Sequence, residues 1–331
     1  MNTMTGISTL LLTTTLVLLL APFISPDSKS PHLIRRLRDT PILEPRDGCF
    51  DSLAAYNPTA IMFQGDYILL YRGQDKNKTS YVGFAKSKDG IHFSAEKTPV
   101  LSPATAYEKT GGIEDPRVVK IDDRFYLTYT GYNGTDAQLC LASSQDLRKW
   151  KRHGVILPAY KGKWNKGWTK AGAIVDQKIN GKYWMYYLGT KDGADQMGVA
   201  SSVDLKNWSD ATDQPILAKR PGMFDSRVVE PGPAPVITKK GILLIYNGAD
   251  DNLVYRAGWV LFDSKDPTRV IARSDTPIFA PQKSWELKGQ VPNVVFIEGM
   301  IKRGDRLLLY YGGADSVTGV AETKLSRGFV N

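Results

Sequence analysis

Cysteine and histidine are almost missing, with two and three residues among 331. Cys49 and Cys140 allow one disulfide at most, which would add little to a core of this size, so two buried free thiols are expected. His32, His92 and His153 are scattered and neither cysteine has a histidine neighbour, so no metal centre is expected. After residue 40 there is also no stretch of helical periodicity. The formal net charge is +9, but acidic residues are interspersed with basic ones and no recognised nucleic-acid module occurs. Nucleic acid is therefore not an expected partner, while the field of a basic chain favours anionic ligands.

One long apolar run is present. Residues 7–24 are 18 consecutive uncharged residues, long for the apolar part of a secretory signal and just long enough to span a bilayer. No Lys or Arg precedes the run, and Lys29, Arg35, Arg36 and Arg38 follow it. Residues 1–28 are expected to be a signal peptide or an N-terminal membrane anchor, and residues 29–44 a linker. The body, 45–331, would then be exported to the periplasm or the cell exterior. An uncleaved anchor with this basic flank would instead leave the body cytoplasmic. At 42% hydrophobic, the body can bury a core, and nothing in it demands a second domain or points to an oligomeric state.

The body repeats. Tyr-x-Gly ends an aromatic run five times, at Tyr71, Tyr129, Tyr187, Tyr246 and Tyr311, with spacings of 58, 58, 59 and 65 residues. Each run follows a polar turn, as at Asp122-Asp123 and Asn180-Gly181, and so reads as the second strand of a hairpin. In three units the next strand closes on Ser-x-Asp-x-x-x-aromatic: Ser87 to Phe93, Ser144 to Trp150 and Ser202 to Trp208. There Ser and Asp would bond the turn backbone, and the aromatic would cover the next sheet. Five units of about this length predict an all-β fold, a five-bladed β-propeller, with the Tyr-x-Gly tyrosines as core between blades.

In such a fold the first strand of each blade lines the central funnel, where ligands bind. Counting back 14 residues from each repeated tyrosine gives Asn57, Asp115, Ala173, Gly232 and Ile297. Glu298 lies one residue from that register and Glu230 two, so Asp115, Glu230 and Glu298 are expected to converge, with Asn57 beside them. Glu114 reads as a cap or an ion-pair partner. Converging carboxyls suit glycoside hydrolysis, in which one group protonates the leaving oxygen and another activates water. Arg72 and Arg117 are candidates for holding sugar hydroxyls.

Several separated motifs resemble glycoside hydrolase family 130 over residues 50–325. They are Gly112-Ile-Glu-Asp-Pro-Arg-Val, Lys178-Ile-Asn-Gly-Lys-Tyr, the segments from Asp266 and Pro277, Val291-Pro-Asn-Val-Val-Phe and Tyr310-Tyr-Gly-Gly-Ala-Asp315. The resemblance implies a five-bladed propeller acting on β-linked mannosides with inversion, by hydrolysis or by phosphorolysis. It implies Asp115 as proton donor, through a sugar hydroxyl in the phosphorylases, and a sugar-facing place for Asp315. Compared with the family's phosphorylases, this chain has Asn247 for a histidine, Ile297-Glu298-Gly299 for a Cys-Gly, and Glu230 for a small neutral residue. A carboxylate beside a phosphate site would repel the nucleophile by several kcal/mol where poorly screened. The expectation is therefore an inverting β-mannoside hydrolase with Glu230 as base and Glu298 second. The alternatives are a phosphorylase releasing mannose 1-phosphate, with Lys170 and Arg227 on the phosphate, and a non-catalytic sugar-binding propeller. No cofactor is expected apart from inorganic phosphate in the phosphorylase case, and the partner is an oligosaccharide or glycan.

Overall fold

The computed structural model describes Met1 and residues 34–325, so the apolar run at 7–24, with its signal-or-anchor reading, and His32 lie outside the described residues. Among the described residues no helix is long and apolar enough to cross a membrane. The described residues from Ile34 to Leu325 are all-β apart from one helical turn, α1 (Ser284–Leu287).

Antiparallel pairing gathers the strands in five groups, and single parallel pairings, Ser80 with Gly112 and Asp195 with Val228, link the first group to the second and the third to the fourth, giving three sheets. The first group holds β2 (Ala54–Phe63), β3 (Asp66–Gln74), β4 (Ser80–Ser87) and β5 (Ser94–Ala95). The second holds β6 (Gly112–Ile121), β7 (Arg124–Tyr132), β8 (Ala137–Ser144) and β9 (Lys151–Leu157). The third holds β10 (Thr169–Ile174), β11 (Tyr183–Lys191), β12 (Ala194–Ser202) and β13 (Ser209–Asp210). In the fourth, β14 (Val228–Pro231) and β15 (Val236–Thr238) share one edge of β16 (Gly241–Ala249), followed by β17 (Tyr255–Phe262) and β18 (Val270–Arg273). The fifth holds β19 (Val295–Arg303), β20 (Arg306–Gly313) and β21 (Val317–Lys324), and is completed from the other end of the chain by β1 (Arg35–Arg36).

This last pairing corrects the expected linker at 29–44. Ile34 is buried, Arg35 and Arg36 stand opposite Glu322 and Ala321, and Leu43 bridges to Thr318. The fifth group has three strands of its own and an open edge, and an open edge carries unpaired backbone groups that a strand can satisfy.

Strand alternation divides the core. On β3, Ile68 and Leu70 join Val118, Leu127 and Tyr129 of the second group, whereas Leu69 and Tyr71 join Ile301, Leu308 and Tyr310 of the fifth. Similar apolar seams join the second group to the third, the third to the fourth and the fourth to the fifth. Strands buried on both faces explain why the runs are nearly continuous in apolar residues. The Ser-x-Asp turns form as expected, with Ser Oγ bonded to Asp Oδ1 at 2.8 Å in Ser87, 3.0 Å in Ser144 and 3.0 Å in Ser202. Their aromatics face the preceding group instead of the next: Phe93 meets Tyr310 edge-on and Trp208 joins the seam with the second group.

All five Tyr-x-Gly tyrosines are buried, and each donates its hydroxyl to a buried carboxylate: Asp51, Glu108, Asp210, Asp225 and Glu286 respectively. Four of these acids follow an aromatic residue in a strap laid over the repeat glycine, as in Phe50-Asp51, Tyr107-Glu108, Phe224-Asp225 and Trp285-Glu286. Any Cβ at Gly73 or Gly313 would collide with Phe50 or Trp285, so glycine is required by the close approach. Asp225 also takes Arg220 at 2.8 Å and Arg273 at 2.6 Å. Asp225→Ala strands both guanidinium groups and the Tyr246 hydroxyl, and is expected to cost about 3–5 kcal/mol. Chemical denaturation should show this; a loss below about 1 kcal/mol would mean that the strap does not hold the sheet. Cys49 and Cys140 are both free; Cys140 is buried, but Cys49, expected inside, is only half-buried because it lies on the first strap.

Candidate active site

The five first strands β2, β6, β10, β14 and β19 present one register position to a common place. Opposite the middle residue of Tyr-x-Gly stand Tyr56, Glu114, Lys170, Glu230 and Phe296. Immediately after it the pairing skips in three of the strands, between Tyr56 and Thr59, Glu114 and Arg117, and Lys170 and Ala173, and in β19 it skips one residue later, between Ile297 and Gly299. A bulge lets consecutive side chains turn the same way. Asn57 and Asp115 occupy the first two bulges with φ of 45° and 49°, a conformation that costs a side-chain-bearing residue about 1–3 kcal/mol and gathers at functional sites. The third bulge holds Ala171, and in the fourth and fifth strands the pocket is lined by Glu230 and Phe296 instead of by the expected Gly232 and Ile297.

A pocket of about 220 Å³ opens here. One side is polar, with Asn57, Arg72, Asp115, Lys170, Glu230 and Asp315; the other is apolar, with Leu253, Tyr255, Val291, Val294 and Phe296. Asp115 Oδ1 accepts from Asn57 Nδ2 at 2.9 Å and Arg72 Nη1 at 3.1 Å. Arg72 Nη2 bonds Glu114 at 2.5 Å, and Lys170 Nζ reaches the other Glu114 oxygen at 3.4 Å. The ion-pair role expected of Glu114 is thus the one it has. Tyr255 and Phe296 were not legible as site residues, although Phe296 shares the register position of Glu230.

Charge separates the two pocket acids. Burial works to raise Asp115, but Arg72, Lys170 and Arg117 with the Asn57 bond outweigh it and hold the group at about 2. Burial pushes Glu230 up to about 8, opposed in part by Arg117 and Lys170 and reinforced by Asp115. Burial likewise lifts Asp315 to about 6 against the pull of Arg72. At neutral pH these shifts favour Asp115 ionised and Glu230 protonated.

Four expected site residues do other work. Arg117 is buried beneath the pocket and spends its guanidinium on the carbonyls of Gly232, Asp115 and Pro231 at 2.8–3.0 Å. Asn247 is fully buried, and its amide both donates to Ile297 O and accepts from Ile297 N, clamping β16 to β19. Neither lines the pocket. Glu298 is fully buried in the β19 bulge, off the pocket wall, 3.6 Å from Arg117 and with both carboxyl oxygens lacking a hydrogen bond. Burial lifts its pKa well above the usual carboxyl range. Arg227 is exposed ahead of β14, outside the pocket lining, with its charge felt at Tyr255.

Paired buried carboxyls beside an apolar wall, on first strands of an all-β body, are an arrangement that suits a carbohydrate-active enzyme. Residues 38–328 match the family described as beta-1,4-mannooligosaccharide phosphorylase, and the chain belongs to glycoside hydrolase family 130. It is 42% identical over 299 residues to a 1,2-beta-oligomannan phosphorylase of Thermoanaerobacter sp., covering 87% of this chain and 96% of that one. A glycosyl hydrolase from Bacteroides ovatus is 35% identical, with a TM-score of 0.81 over 90% of this chain and 95% of that chain. A third relative, 36% identical with a TM-score of 0.81 over 90% of this chain and 95% of its own, comes from a description of family members that hydrolyse β-1,2 mannosidic linkages in Candida mannan.

Proposed function

We propose that the chain is a five-bladed propeller that hydrolyses β-linked mannosides with inversion, and that Asp115 and Glu230 are its acid–base pair. The observation that carries the reading is Glu230 on the pocket wall, facing the same space as Asp115. Five strand groups joined by five seams, the fifth returning to the first, support the propeller. A volume of about 220 Å³, below the roughly 300–1,000 Å³ of sites for larger ligands, suits one pyranose ring. An inverting hydrolase needs one proton and one charge across its two carboxyls. Asp115 and Glu230 together hold one proton and one charge at neutral pH. Arg72 and Lys170 are already engaged by Glu114 and Asp115, which leaves little positive charge for a phosphate dianion. Water is then the nucleophile and no cofactor takes part. Export fits this reading, since a sugar phosphate released outside the cell is hard to recover.

The 42% identity to a phosphorylase favours a second reading, in which phosphate replaces water. Incubation with β-1,2-mannobiose, with and without phosphate, separates the two. Mannose alone, formed at a rate indifferent to phosphate, is expected. Mannose 1-phosphate rising with phosphate concentration would make the chain a phosphorylase.

A further inference from the structure

A pocket with room for one ring leaves the rest of an oligosaccharide outside, and the structure offers one prepared place for it. Tyr132, at the end of β7, lies with its ring 5.9 Å from that of Trp168, just ahead of β10. Trp168 Nε1 donates to Tyr160 Oη at 3.0 Å, and Tyr160 Oη donates to Asp136 at 2.7 Å, so the three rings are fixed in one assembly. Tyr160 is 52% exposed, and it holds a φ of 62°, which a tyrosine adopts only at a cost. Tyr132 and Trp168 are half-buried. Three aromatics joined by a ring contact and hydrogen bonds, one of them exposed, are a surface available for contact.

The assembly adjoins the pocket. Lys170, which lines the pocket, carries its ammonium 5.4 Å from the Trp168 ring centre and 3.4 Å from Glu114. From there Arg72 leads to Asp115. We infer that Tyr132, Tyr160 and Trp168 form a wall that binds a second pyranose ring of the substrate, adjacent to the ring in the pocket. The C–H face of a sugar buries against an aromatic face, while the Tyr160 and Asp136 oxygens meet its hydroxyls. This rests on the proposed reading of the pocket as a mannoside site.

The test compares β-1,2-mannotriose with mannose by calorimetric titration, and mannotriose with methyl β-mannoside by turnover, in the wild type, Trp168→Ala and Tyr160→Ala. The wild type should favour the longer chain in both measurements, and Trp168→Ala should cut that preference about tenfold, with Tyr160→Ala in the same direction. A preference left unchanged in both variants overturns the wall, and so does an equal loss on long and short ligands, which is what loosening of the loop alone would produce. A wild type that neither binds nor cleaves any mannoside sinks the reading of the pocket; one that cleaves them with an unaltered length preference in Trp168→Ala sinks only the wall.

Discussion

Asp115→Asn is expected to lower turnover of β-mannobiose by about 10²- to 10⁴-fold while the protein still folds and binds sugar. The asparagine can still offer Oδ1 to Asn57 and Arg72, so the bulge and its bonds are kept, and the group that handles the proton is lost. The loss should depend on the leaving group. With an aglycone that departs without a proton, such as a nitrophenolate, the variant should retain far more of its rate, because no acid is needed for departure. More than about a tenth of wild-type activity on the disaccharide would remove Asp115 from the chemistry. An equal loss on both substrates would assign it the role of base.

Glu230→Gln should lower kcat to a similar degree with little change in KM, since a neutral isostere removes an interaction made in the transition state. Added phosphate should not restore it. The pH dependence gives an independent check. Between about 2 and about 8 the pair holds one proton, and above about 8 Glu230 ionises and the pair holds none. Wild-type kcat/KM should therefore be level through neutral pH and fall as pH rises through about 8. A profile that climbs through that range would mean that the active form carries no proton on the pair.

The fold was legible where the residues repeat at fixed spacing, as the five Tyr-x-Gly motifs and the Ser-x-Asp turns do. The straps escaped notice because their acids lie 20 residues ahead of the tyrosine in one unit and 25 in another, and Asp210 replaces the strap acid in the third. Two of them nevertheless share a pattern, Arg46-Asp-Gly-Cys-Phe-Asp51 and Arg220-Pro-Gly-Met-Phe-Asp225. At the site, Asn57, Arg72, Asp115, Lys170, Glu230 and Asp315 come together as expected. Arg117 and Asn247 do not, because residue type announces a capacity for hydrogen bonds and says nothing of which backbone groups will use it up. Glu298 misses the pocket because it sits in the β19 bulge, two residues past Phe296, where it is buried beside Arg117.

The pairing of β1 with β21 joins residues 287 positions apart. Such a contact forms only after nearly the whole chain has been made, so the fifth group stays open during synthesis and the last step of folding is non-local. Circular permutation that moves the ends into the loop after β9 would make the fifth group contiguous, and would be expected to fold sooner at the expense of this late latch.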